Sequence, residues 1–172
     1  MTDLIIRILA DGLVVPVVLL GAWALVWRVP RGQRYRVYCR VLMAGLTAFL
    51  AAKLIGAVYQ PEALRPFQLM GEAAGASFLD NPGFPSDHVL FCAAIALAVL
   101  FETRARQLGY ALLGLTLLVG VGRVLALVHT PLDVLGGLVI ACAGIPWYLT
   151  KDKAYAKLIS TEARKKRQKR VK

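Results

Sequence analysis

The sequence predicts an all-α fold: a polytopic membrane helical bundle of about five transmembrane helices, N-terminus out and C-terminus in. Three observations predict it. The 172 residues are 58% hydrophobic and only 18% charged, with a mean hydropathy of +0.62. Five apolar stretches recur, on the scale of the roughly 20 residues that cross a bilayer as a helix. The basic residues fall on alternate connections, as the positive-inside rule requires. Such a composition excludes a disordered chain and argues against a water-soluble globule.

The stretches run roughly from Leu4 to Trp27, Val41 to Tyr59, Val89 to Phe101, Leu108 to Val128 and Pro131 to Leu149. The first carries Arg7 and Asp11, which put its opening turns at the interface and leave the crossing to Gly12–Trp27. It lacks a following small-residue cleavage site and so reads as a retained span. The second contains Lys53 near its end. The third is short, and beginning it at Ser86 adds a turn, with Ser86 a candidate N-cap after Pro85. The fourth contains Arg123. The fifth opens on Thr130-Pro131-Leu132-Asp133, a good helix start with Thr130 as cap and Asp133 in the capping-box position. Cys39, Cys92 and Cys142 have no paired spacing and read as small buried hydrophobes.

Charge sets the expected orientation. Arg28, Arg31, Arg34, Arg36 and Arg40 crowd the first connection, Arg104 and Arg106 the third, and ten more Lys/Arg lie between Lys151 and Lys172. Trp23, Trp27, Tyr35, Tyr38, Trp147 and Tyr148 gather near the same ends as an interfacial belt. Those ends are assigned to the cytoplasm. Residues 1–150 then form one membrane domain, and 151–172 a basic cytoplasmic tail that anchors topology or contacts anionic lipid. No nucleic-acid partner is expected, despite a pI near 10.0.

The remaining ionisable groups fall on the opposite, extracytoplasmic side. Lys53, Arg65, Asp87, His88, Arg123, His129 and Asp133 come from four spans and the 60–85 loop, and all can converge on one pocket. Taken singly, Lys53 and Arg123 can snorkel, and Ser86 and Asp133 can serve as caps. Jointly, capping and snorkelling give no reason for two histidines and three cations to share one side. A phosphate does. Lys53, Arg65 and Arg123 form a cationic clamp, and the starts of the third and fifth spans point free N–H groups at an anion. Two imidazoles can divide nucleophilic and acid roles, with a carboxylate fixing one tautomer. The acids are too scattered for a metal site, and none is expected.

At these residues the chain resembles the type 2 phosphatidic acid phosphatase superfamily. That family's third block, S-R-x5-H-x3-D, has the spacing of Gly122-Arg123 through His129 to Asp133, with glycine replacing serine. Its second, P-S-G-H, corresponds to Pro85-Ser86-Asp87-His88, and its first, K-x6-R-P, to Lys53 and Arg65-Pro66 with eleven residues between. Pro-Ser-Asp-His, Arg65-Pro66-Phe67 and Asn81-Pro82-Gly83-Phe84 look most like the bacterial undecaprenyl-diphosphatase branch. The family core usually has six spans, one more than the five counted here.

The resemblance implies His129 as nucleophile, Asp133 as its orienting carboxylate and His88 as the acid that protonates the leaving group. Lys53, Arg65, Ser86, Asp87 and Arg123 would hold the phosphoryl oxygens, Asp87 chiefly through the turn that it forms. No cofactor is implied. The expected activity is metal-independent hydrolysis of the terminal phosphate of a polyprenyl (undecaprenyl) diphosphate through a phosphohistidine. It would take place in the cell inner/plasma membrane, at a site facing the extracytoplasmic side. Phosphatidate or phosphatidylglycerol phosphate is the alternative substrate, and an anion or lipid transporter or membrane adaptor the non-enzymatic alternative. Residues 60–84 are left as either a short interfacial helix or a lid.

Overall fold

A computed structural model describes residues 2–61, 64–79 and 83–150. The basic tail at 151–172 lies outside the described residues, as do Asn81 and Pro82 of the approach to Gly83. The regular secondary structure of the described residues is all helical, in rods joined by turns and by the longer 59–86 connection. Four helices are long and apolar enough to cross a membrane: Thr2–Trp27, Arg31–Val58, Arg106–Leu125 and Pro131–Leu149. A fifth, α5 (Asp87–Glu102), has 16 residues and is the central element. This multi-pass arrangement agrees with the five expected spans.

The first rod is not uniform. Helix α1 (Thr2–Arg7) passes through a π-helical turn at Ile8–Gly12 into α2 (Val14–Trp27). The hydrogen-bond ladder shifts just before Pro16, which has no N–H to donate. Within the shifted turn the Leu13 N–H reaches the Ile8 carbonyl at 2.8 Å. Helix α3 (Arg34–Val58) buries Val37, Ala44, Ala48 and Ala52. Three small side chains in register let it approach α5 and the last rod closely, the usual solution where lipid removes the hydrophobic drive between helices. That last rod is α7 (Pro131–Ala141), a 3-10 turn at Cys142–Gly144 and α8 (Ile145–Leu149). The turn falls where Pro146 cannot bond back to Cys142.

Helix α5 packs against α2, α3, α6 (Arg106–Leu125) and α7. Eight of its residues are buried, while Phe91 and Phe101 are exposed. At about 1.5 Å per residue it is roughly 24 Å long, short of the ~30 Å hydrocarbon layer. At its start Ser86 and Val89 are fully buried, while Asp87 and His88 are partly exposed. At the other end, Glu102 takes a two-pronged ion pair from Arg40 at 2.7 and 2.8 Å.

The outer surface is apolar. Leu19, Leu42, Leu54, Val58, Leu135 and Val139 are all exposed, as suits a bundle bathed in hydrocarbon. This corrects the reading of the cysteines. Cys92 is buried, but Cys39 and Cys142 are free thiols exposed on that surface, because an apolar residue in a membrane bundle can face lipid as well as core.

Candidate active site

The expected site residues are delivered by local structure at three helix ends. Helix α6 stops at Leu125, and Leu127 adopts a left-handed conformation (φ 58°). A bulky residue there costs on the order of 1–3 kcal/mol and persists only when its surroundings demand it. The demand is visible: the Leu127 carbonyl accepts Phe67 N–H at 2.9 Å, and the next carbonyl, of Val128, accepts Arg65 Nη1 at 2.6 Å. An unbroken helix would set Arg123 and His129 about 120° apart. The turn at 126–129 brings both to one pocket.

His129 is buried, and its Nδ1 lies 3.4 Å from Asp133 Oδ2. The same oxygen accepts the Thr130 N–H at 2.8 Å, while Asp133 N–H donates to Thr130 Oγ1 at 3.2 Å. Capping α7 and facing the imidazole are thus one task of one carboxylate. Burial lowers the His129 pKa from its ordinary value. Asp133 opposes that shift, and the nearby Arg123 and Arg65 charges add to it. Burial thus favours the neutral imidazole, the form that carries a nucleophilic lone pair.

Ser86 sits at the N-cap position of α5 but makes no side-chain cap bond. Its backbone is used instead: Ser86 N–H donates to the Asp133 carbonyl at 3.0 Å, tying the start of α5 to α7. This close approach needs Gly137, where a Cβ would fall 2.8 Å from the Ser86 carbonyl oxygen. Among the described residues around this pocket, Ser86 Oγ, Arg123 Nε and His129 Nδ1 are buried without a hydrogen-bond partner. The first two are donors held back from the protein's own structure, at a point where buried polar atoms are normally satisfied.

These elements enclose a cavity of about 20 Å³ lined by Arg65, Leu79, Gly83, Pro85, Asp87, His88, Arg123 and His129. Two guanidinium groups and two imidazoles from four chain segments therefore face one small space. Arg65 also holds the loop together, donating from Nη2 to the Leu79 carbonyl at 3.1 Å and covering the Phe78 ring. The 60–84 segment contains a short helix, α4 (Pro66–Met70), which resolves part of the choice left open above.

Lys53 stands elsewhere. Its Nζ pairs with both Asp87 carboxylate oxygens at 3.2 Å and lies over the Phe49 ring, on the bundle's exterior. It lines a second, larger cavity of about 590 Å³ together with Leu25, Phe49, Leu79, Asp87 and Phe91. Asp87, in the position of the family's glycine, links Lys53 to the polar pocket.

One residue absent from the expected set also reaches the site. Asp11, in the π-helical turn, accepts Arg123 Nη1 at 2.8 Å and Ser77 N–H at 2.9 Å, and its Oδ1 lies 3.9 Å from His88 Nε2. An acid inside an apolar span was the available signal. Its separation from every motif by more than 40 residues hid the partner.

The chain has sequence relatives among known proteins. Over 111 residues the chain is 40% identical to undecaprenyl-diphosphatase BcrC of Bacillus subtilis (strain 168), a match that covers 59% of this chain and 52% of that protein. The chain thus spans about half the length of the curated relative it matches. No solved structure matches. The sequence model of the PAP2 superfamily matches residues 34–155, which hold all the motif residues, and the chain belongs to that superfamily.

Proposed function

We propose that this protein is a membrane lipid phosphatase that hydrolyses the terminal phosphate of a polyprenyl diphosphate, of the undecaprenyl type, through a phosphohistidine. One observation carries the reading. A polar pocket with two imidazoles and two guanidinium groups adjoins a long apolar cavity, and the two share Leu79 and Asp87 as walls. The larger cavity follows α5 from Asp87 to Ala98, about 16 Å of helix. A headgroup and a linear apolar chain attached to it need such a pair of adjoining spaces. The similarity to a protein named as an undecaprenyl-diphosphatase supports the same choice.

The geometry supports the following chemistry. Asp133 opposite Nδ1 favours a proton there and leaves the Nε2 lone pair of His129 to attack the terminal phosphorus. As the N–P bond forms, the bridging P–O bond breaks, and His88 gives its proton to the departing lipid monophosphate. Arg65, Arg123, Ser86 Oγ and the first N–H groups of α5 stabilise the equatorial oxygens in the transition state. Water then attacks phosphorus, His88 takes a proton from it, and the N–P bond breaks to return His129 and inorganic phosphate. Lys53 and Asp87 stand at the junction of headgroup and chain. The working site faces the extracytoplasmic side, and the basic tail meets anionic lipid in the cytoplasm.

Phosphate release by the purified protein from undecaprenyl diphosphate, farnesyl diphosphate, phosphatidate and phosphatidylglycerol phosphate tests the proposal. Polyprenyl diphosphates should be preferred, with activity retained in EDTA. A strict Mg²⁺ requirement overturns the metal-independent mechanism, and preference for phosphatidate overturns the substrate. Orientation is tested in a background lacking Cys39, Cys92 and Cys142: Glu72→Cys should label from outside intact cells and Arg104→Cys should not. The reverse pattern inverts the topology.

A further inference from the structure

The geometry points to Asp11 as a positioning residue of this site, delivered from outside the matched family region to hold Arg123 and His88. This inference rests on the phosphatase reading above. Asp11 belongs to the first rod, and the family match begins only at residue 34. Its carboxylate bonds Arg123 of α6 at 2.8 Å and the Ser77 N–H of the 60–84 segment at 2.9 Å, and lies 3.9 Å from His88 Nε2 of α5.

Two independent features show how it gets there. The turn that carries it is π-helical, an arrangement that occurs mostly as single turns and often at functional sites. The second feature is Gly122. A Cβ on Gly122 would fall 2.5 Å from Ala10 N and 2.6 Å from the Leu9 carbonyl carbon, so only glycine lets the π turn lie against α6. This is the position where the family pattern has serine. Neighbouring Ala10 is fully buried by the contact. Glycine at 122 and the acid at 11 thus act as a pair: one clears the space, and the other fills it with charge.

Each imidazole at the pocket has a carboxylate nearby, Asp133 Oδ2 at 3.4 Å from His129 Nδ1 and Asp11 Oδ1 at 3.9 Å from His88 Nε2. Arg123 is 1% exposed and cannot find its orientation from solvent; its Nη1 bond to Asp11 sets the plane of the guanidinium that lines the pocket. Asp11 itself does not line that pocket. It acts through the two groups that do.

The test uses full-length protein in detergent, with kcat and KM for the diphosphate and the ring NMR signals of the chain's two histidines. Asp11→Asn can still accept the Ser77 N–H but loses the charge. It should move the His88 signals, leave those of His129 in place, and lower kcat about ten- to a hundredfold with KM within about threefold, as expected for misplacement of reacting groups. Asp11→Glu should restore most of the loss. Gly122→Ala should give the same signature, and the double variant with Asp11→Asn should be no worse than either single change. An Asp11→Asn protein with unchanged kcat overturns the inference, whatever its spectrum. So does a loss of kcat with His88 unmoved, which assigns the effect to packing. If the unaltered protein releases no phosphate, the phosphatase reading fails by itself, and the His88 signals still decide whether Asp11 holds that ring.

Discussion

Asp133 Oδ2 faces His129 Nδ1 at 3.4 Å while accepting the Thr130 N–H at 2.8 Å, so the oxygen that caps α7 is also the one that faces the imidazole. Because one atom position serves both, substitution separates the charge from the cap. Asp133→Asn with its carbonyl oxygen at that position keeps the acceptor for Thr130 and should melt close to the unaltered protein. Its phosphatase activity should fall at least a hundredfold, because the neutral amide no longer stabilises the positive charge that the imidazole gains on attack. Asp133→Ala removes the cap too, and should lose a further ~1 kcal/mol of stability. Equal melting temperatures for the two variants would show that the cap contributes nothing.

The cations differ in rank. Arg123 and Arg65 line the polar pocket, whereas Lys53 is half-exposed and paired with Asp87 outside it. Arg123→Ala should reduce kcat/KM by a hundredfold or more, the scale of losing a transition-state donor. Lys53→Ala should cost less than about tenfold, since an exposed ion pair is worth at most ~1 kcal/mol. Steady-state kinetics on the same diphosphate ranks them. A larger loss for Lys53 would mean that the lysine leaves Asp87 to meet the substrate.

Burial keeps the His129 pKa below its ordinary value. In the proposed mechanism the neutral ring is the nucleophile, so protonation as pH falls through that lowered pKa should switch off attack. The acid limb of kcat/KM that belongs to His129 should therefore lie below the ordinary imidazole value of about 6.5, and activity should persist between that value and the limb. Titration of the His129 ring signals by NMR assigns the limb. A His129 pKa above 6.5 in the substrate-free protein contradicts the burial argument.

Gly45 offers a test of the apolar cavity. It lines that cavity, and a Cβ placed on it meets nothing within 4 Å. Gly45→Leu should stabilise α3 by up to ~1 kcal/mol through helix propensity. The same side chain should obstruct a long chain, raising KM for undecaprenyl diphosphate several-fold and leaving a short prenyl diphosphate unaffected. Equal effects on both substrates would move the lipid chain out of this cavity.

The sequence by itself determined the bundle, its spans and the residues that carry the motifs. Hydrocarbon demands long helices with satisfied backbones, and that demand is written locally, in runs of apolar residues broken by charge. Arg123, His129 and Asp133 were legible for the same reason: they lie within eleven residues of one another, around one helix end. Only the tertiary structure decided what depends on distant segments meeting. It ended α6 at Leu125 and turned the chain through Leu127 so that Arg123 and His129 share a pocket. It paired Lys53 with Asp87 instead of adding it to the pocket lining. It also brought Asp11 across 112 residues to Arg123, through a close approach that Gly122 alone permits. An ion pair formed by helix packing leaves no periodicity in the chain, so its partners become visible only when the helices are seen together.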